Sequence, residues 1–283
     1  VTAYVLVAGA WHGSWAWERI VPVLASAGVR TVTPDLSADP DAGLDDHVAE
    51  VVAALDTLND AFDDRSHGGA SDGLHGGASD GLHGAASDGT RGAAPGGQRG
   101  AVSDRTHGAA LNRQEGAAGG GSPDVVLVGH SYAGLVVRQA AALRPAAVRH
   151  VVLVDGWAGP DGAALFALAP DGFEAAVRRS AGGRPLIPPP PPETFGVTDP
   201  HDAAWLRERL RPHPLRTFSD ATTLTPAVDR IPGTAILCRP ATYPFERFAK
   251  EVGYRTVAID GPHDVMLTRP EPLARLLLDV PGH

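Results

Sequence analysis

Cysteine is almost absent from this chain: Cys238 stands alone among 283 residues. No disulfide can close within the chain, and this usage fits a reducing compartment. Lysine is as scarce, with Lys250 the one example, and the arginines that supply the remaining positive charge are scattered along the sequence. A formal charge of −9 without a basic stripe argues against nucleic acid as a partner and favours solubility. No apolar run approaches the ~20 residues needed to span a bilayer, so no membrane association is expected. Residues 1–4 read as the start of a strand without a basic leader. The expectation is no signal peptide and a cytoplasmic location.

Large apolar side chains are missing from one internal stretch. Over residues 67–122 an eight-residue unit, His67-Gly68-Gly69-Ala70-Ser71-Asp72-Gly73-Leu74, recurs first closely and then with decay. Such a segment cannot bury enough surface to offset its ordering entropy. A disordered low-complexity loop over 65–122 is therefore expected, at little cost to the fold because closure entropy grows only logarithmically with length. His67, His75, His83 and His107 recur with the unit, but spacing of this kind in a glycine-rich coil fixes no ligand geometry. No metal and no cofactor is expected.

Outside the repeat, strand and helix signals alternate. Strands read at 3–7, 29–33, 125–128, 151–154, 234–238 and 255–259, most of them continuous apolar runs of the kind buried on both faces. Helices read at about 15–27, 44–62, 132–143, 245–252 and 271–278. The alternation predicts an α/β fold, a mostly parallel sheet of about six strands flanked by helices, with its site at the strands' carboxyl ends. Residues 157–226 break the pattern with short helical pieces at 163–169, 173–179 and 202–210 and a run of five prolines, Pro188 to Pro192. They read as a small helical cap on a core formed by 1–156 and 227–283, with the proline run as a stiff connector.

Three features converge on those carboxyl ends. Gly129-His130-Ser131-Tyr132-Ala133-Gly134 follows one strand and opens a helix, the context of a nucleophile elbow with Ser131 at its apex. The usual last glycine is replaced by Ala133, with Gly134 one place later. Ala8-Gly9-Ala10-Trp11-His12-Gly13-Ser14-Trp15 follows the first strand, where a turn can offer the Ala10 N–H to an oxyanion beside the N–H of Tyr132. Gly261-Pro262-His263-Asp264 follows the last strand and supplies His263 as general base. His12, His130, His150, His201 and His213 lack that combination of chain order and post-strand position. For the acid, Asp155 at the end of strand 151–154 is favoured over Glu246, read as helical, Asp264, which would point away from the ring, and Asp35, on the far side of Ser131. Trp11, His12, Trp15, Trp157 and Phe166 are the candidate pocket residues, some of them equally at home as plain core.

These motifs resemble the α/β-hydrolase superfamily. Within it the chain looks like the small esterase branch of plant methylesterases, hydroxynitrile lyases and their bacterial relatives. The likeness rests on residues 9–15, 129–134 and 263–267 and on the stretches 189–197 and 205–218, and apart from the repeat it covers nearly the whole chain. Relatives often carry His where Ala8 stands. The lyases carry Lys beside the catalytic His and Thr in the first turn, where this chain has Asp264 and Gly9, so the resemblance argues against lyase chemistry. Some bacterial relatives carry their acid at the Asp155 position. The resemblance implies a serine hydrolase that cleaves an ester, thioester or lactone of a small apolar molecule through an acyl-enzyme. A lyase or cyclase on the same scaffold, and a non-catalytic receptor for a small molecule, are the alternatives from other classes.

Overall fold

The computed structural model describes residues 2–67, 110–111 and 125–280. In chain order the strands are β1 (Ala3–Val7), β2 (Arg30–Thr33), β3 (Ala110–Leu111), β4 (Val125–His130), β5 (Val148–Val154), β6 (Leu186–Ile187), β7 (His213–Pro214), β8 (Gly233–Arg239) and β9 (Arg255–Asp260). The helices are α1 (Val21–Ser26), α2 (Leu44–His67), α3 (Ala133–Leu143), α4 (Leu165–Leu168), α5 (Phe173–Ala181), α6 (Pro200–Arg209), α7 (Arg216–Ser219), α8 (Phe245–Glu251), α9 (Val265–Thr268) and α10 (Pro270–Leu278).

The main sheet runs β3-β2-β1-β4-β5-β8-β9. Its six longer strands are parallel and are the six read from the sequence; only β3 pairs antiparallel, at the β2 edge. Successive residues of a strand point to opposite faces, and the core divides accordingly. Ala3, Val5 and Val7 pack with Leu127, α2, α3 and Phe248 of α8. Tyr4, Leu6 and Ala8 pack with Val126, Val128, Trp17, Leu24 of α1 and Leu273 of α10. Burial on both faces is why β1, β4, β8 and the end of β5 read as apolar runs, whereas the edge strand β9 is largely exposed or half-buried.

Helix α3 lies deepest. Its first ten residues are buried, and four of the ten are alanine. The one arginine among them, Arg138, hydrogen-bonds the carbonyl of Gly159 and lies 5.8 Å over the Tyr254 ring. At the start of α2, Asp45 and Asp46 occupy the first turn, where carboxylates favour the helix dipole, and Asp46 accepts from the Gly43 N–H at 2.7 Å.

One expected element differs. The helix read over 15–27 is two pieces, a 3-10 turn at Ser14–Trp17 and then α1. Pro22 lacks the N–H that would continue the first piece and instead opens the second. Between β5 and β8 the chain leaves the sheet through α4 to α7, as the sequence implied. A two-stranded β6–β7 pair, Ile187 opposite His213, was not read there. The repeat expectation falls outside the described residues, apart from the end of α2 and β3.

The strand order switches direction between β1 and β4: β1 is followed by β2 on one side, and the next long strand lies, parallel, on its other side. Open α/β sheets form their crevice at such a switch point. Here it brings residues 8–13, after β1, beside Ser131, after β4.

Candidate active site

Ser131 sits at the end of β4 with φ 52°, in the left-handed region. Among the described residues only Trp11, Ser131 and Asp155 are non-glycine with positive φ, and all three lie at this sheet edge. Each such residue costs on the order of 1–3 kcal/mol and persists only where its surroundings over-determine it. Ser131 is held by its N–H to the Val154 carbonyl at 3.1 Å, and its own carbonyl accepts from the N–H groups of Gly134 and Trp157, each at 3.0 Å. The turn is tight enough that a Cβ on Gly9 would come within 2.9 Å of the Ser131 Cβ.

The same contacts explain the displaced glycine of the motif. Ala133 is accommodated, fully buried, where the pattern usually has glycine. Gly134 is the position with no room, because a Cβ there would run into the carbonyl oxygen of Trp157. Gly134→Ala is expected to destabilise the fold by about 1–3 kcal/mol, the usual cost of overpacking. The urea midpoint, measured with an unchanged m-value, checks this.

His263 follows β9 and donates from Nδ1 to Oδ2 of Asp155 at 3.1 Å. Asp155 is 1% exposed, and its other oxygen accepts from the Cys238 N–H at 2.8 Å. The Phe245 ring stacks on the imidazole with 5.7 Å between centroids and 7° between planes. With Nδ1 donating, the neutral ring keeps Nε2 as its acceptor. Cys238 offers no competing nucleophile: burial first, then the charge of Asp155, pushes its thiol far up.

The turn after β1 closes with the His12 N–H on the Gly9 carbonyl at 3.2 Å. Trp11, at φ 66°, is pinned by the segment between β5 and β8: its carbonyl accepts from the Arg211 N–H at 2.9 Å and its Nε1–H donates to the Ile187 carbonyl at 3.2 Å.

One cavity of about 330 Å³ is lined by Ser131, His263, Ala10 and Tyr132 together with Trp11 and Trp157. Phe173, Phe195, Phe218 and Tyr243 add four more rings, and Pro188 and Pro190 of the proline run form part of its wall. Three expected pocket residues lie elsewhere. His12 turns beneath the turn, with Nδ1 on the Ala10 carbonyl and Nε2 on Asp264. Trp15 is drawn to the opposite face by the 3-10 turn and meets the Trp205 ring edge-on at 5.4 Å. Phe166 packs behind the lining, against Phe218 and under Arg178. Glu246 is on helix α8, paired with Arg239 and Lys250. Asp35 accepts from the Ser14 N–H at 2.6 Å. Among the described residues no group of three or more metal-ligating side chains stands together, and no helix is long and apolar enough to cross a membrane.

The model of the alpha/beta hydrolase family matches residues 4–276. The chain belongs to that family. A curated relative of this hydrolase is a carbendazim hydrolyzing esterase from Nocardioides sp. strain SG-4G, 25% identical, with 97% of each chain covered. Among solved structures, an extracellular alpha/beta-hydrolase from a Paenibacillus species superposes with a TM-score of 0.72 at 16% identity, covering both chains fully. A methylesterase from Arabidopsis superposes with a TM-score of 0.62 at 16% identity, covering 98% of each chain. The resemblance to the small esterase branch therefore holds for the fold.

Two features of the hydrolase's site were not legible. His47, read only as part of a helix, places Nδ1 3.0 Å from the Tyr132 hydroxyl and donates from Nε2 to the Ser37 carbonyl at 2.9 Å. Burial lowers its pKa and keeps the ring neutral. His130, set aside in the sequence as a candidate base, lies against the His263 ring at 4.7 Å between centroids and donates from Nε2 to the His263 carbonyl at 3.1 Å. Burial, then the neighbouring His263, holds its pKa well below the ordinary histidine value. The one sequence signal for either was a polar residue at a buried register position.

Proposed function

We propose that this hydrolase cleaves a carboxylic ester, thioester or lactone of a small, uncharged, apolar molecule through an acyl-enzyme on Ser131. The Ser131 Oγ attacks the carbonyl carbon while His263 Nε2 takes its proton. The N–H groups of Ala10 and Tyr132 receive the oxyanion, as fixed donors in a cavity lined mainly by apolar side chains. Collapse of the tetrahedral intermediate breaks the bond to the leaving group, which takes the proton back from His263. Water, deprotonated by the same imidazole, then releases the acid. Asp155 holds the tautomer and stabilises the imidazolium that forms.

The observation that supports this reading is a shared cavity: Ser131, His263, Ala10 and Tyr132 all line it, and Asp155 hydrogen-bonds Nδ1 of the imidazole. The same lining supports the substrate class. Besides His263 it contains seven aromatic side chains, and it has no carboxylate, ammonium or guanidinium group. A free carboxylate or ammonium brought in with the substrate would be desolvated without a partner. A carbendazim hydrolyzing esterase and a methylesterase are among the proteins this chain is similar to, in keeping with ester cleavage. Residues 157–226 act here as the cap that shapes the cavity.

A panel of neutral and charged esters, thioesters and lactones, turned over in ¹⁸O-labelled water, tests the proposal. Hydrolysis places solvent oxygen in the acid product, and a fluorophosphonate adds its mass to the peptide holding Ser131. Turnover without solvent oxygen would assign lyase or cyclase chemistry instead. Turnover with Ser131 unlabelled and dispensable would remove the acyl-enzyme.

A further inference from the structure

The buried histidines near the oxyanion turn differ in what their ring nitrogens meet. His47 has one carbonyl and one hydroxyl, which a neutral ring satisfies as donor and acceptor. His130 has one hydrogen-bond partner, the His263 carbonyl at 3.1 Å from Nε2, with Asp264 Oδ1 beyond hydrogen-bond reach of the same nitrogen at 3.9 Å. His12 alone faces two oxygens that accept: the Ala10 carbonyl 2.8 Å from Nδ1, and Oδ2 of Asp264 2.9 Å from Nε2. A neutral imidazole has one N–H and one lone pair, so it would press a lone pair against one of the two oxygens. Both contacts are satisfied together when the ring carries both protons. Asp264 is fully buried, so its charge needs a partner inside the protein.

We propose that His12 and Asp264 form a standing imidazolium–carboxylate pair that positions the oxyanion turn against the loop carrying His263. The two residues are 252 positions apart, and their contact ties the loop after the first strand of the sheet to the loop after the last. Through Nδ1, the pair fixes the Ala10 carbonyl in the turn whose Ala10 N–H is offered to the cavity. Through Asp264, it fixes the residue next to His263, whose own N–H bonds the Phe195 carbonyl at 3.2 Å. Neither side chain lines the cavity, so both are positioning residues.

The surroundings agree with this charge distribution. Around the His12 ring stand His130 at 6.0 Å, Trp15 at 5.3 Å and Phe195 at 5.0 Å between centroids. Burial pulls the pKa of His12 down, but the charge and hydrogen bond of Asp264 and the Ala10 carbonyl outweigh it, and the net shift is upward. Burial likewise pushes Asp264 up, and His12 with its neighbours reverses the sign. The cation on His12 is in turn one of the charges that lower His130 and His213.

The proposal rests on the acyl-transfer reading for its kinetic test alone. In the full chain labelled with ¹⁵N-histidine, both ring nitrogens of His12, assigned by their loss in His12→Gln, are expected to be protonated at a pH where His47 and His130 are neutral. A bare ring nitrogen on His12 under those conditions overturns the pair, including the case in which the proton sits on Asp264. In Asp264→Leu, of similar size, the ring loses both its countercharge and its Nε2 partner, and the tie between the two loops is cut. Its kcat on a neutral ester is expected to fall by on the order of 10²-fold with KM nearly unchanged, the signature of a misplaced donor. A parental kcat overturns the positioning role. If that variant does not fold, His12→Gln takes its place in the kinetic test. Should the parent hydrolyse no ester, the acyl-transfer reading fails by itself, and the ring's protonation still decides the ion pair.

Discussion

Ser131→Ala is expected to lower kcat for ester hydrolysis by about 10⁶-fold, while KM and the unfolding midpoint stay close to parental. The size of the effect follows from what the hydroxyl does. Without it no acyl-enzyme forms, and the imidazole of His263 has no proton to take. What remains is binding and the two main-chain donors, worth about 10³–10⁴ over water in serine hydrolases of this kind. The fold should be indifferent, because alanine keeps the Cβ against which Gly9 packs and the main chain makes all three turn contacts. Adding His263→Ala to Ser131→Ala should cost almost nothing more, since the two act as one unit. Initial rates on the best ester of the panel check both statements. Retention of more than about a hundredth of the parental kcat in Ser131→Ala would remove the nucleophile from the mechanism.

The sheet was legible in the sequence because its inner strands are buried on both faces. Such strands appear as runs like Val125-Val126-Leu127-Val128, which no surface element tolerates. Ser131 and His263 were legible because each follows a strand directly, and the strand ends place them. The polar scaffold behind them was not. His12 meets Asp264 across 252 residues and His47 meets Tyr132 across 85, and no local spacing reports a contact of that range. Trp15 and Phe166 were misplaced for a related reason. An aromatic side chain packs against whatever neighbour the fold supplies, so its residue type does not tell which face it lines. The three strained positions also escaped notice, because left-handed backbone at Trp11 and Asp155 contradicts local preference and is held by tertiary contacts.

The choice of Asp155 as the acid leads to the second large effect. Its two oxygens have different partners: Oδ1 takes the Cys238 N–H, a main-chain donor in mid-sheet that cannot rotate away, and Oδ2 takes the Nδ1–H of His263. In Asp155→Asn the amide must turn its oxygen to Cys238, which leaves its NH₂ facing His263. Two N–H groups would then oppose each other, so the imidazole moves its proton to Nε2 and presents Nδ1 as acceptor. That is the wrong tautomer, with the proton on the nitrogen that must receive one from Ser131. The expected loss in kcat is on the order of 10⁴-fold, with substrate binding little changed. Glu246 supplies the control. It stands on α8, paired with Arg239 and Lys250, and Glu246→Ala should leave kcat at the parental value. A tenfold or smaller loss in Asp155→Asn would show that another group orients the imidazole. Loss of the far-downfield, exchange-broadened Nδ1 proton of His263 in that variant, seen by NMR, would tie the kinetic defect to the tautomer itself.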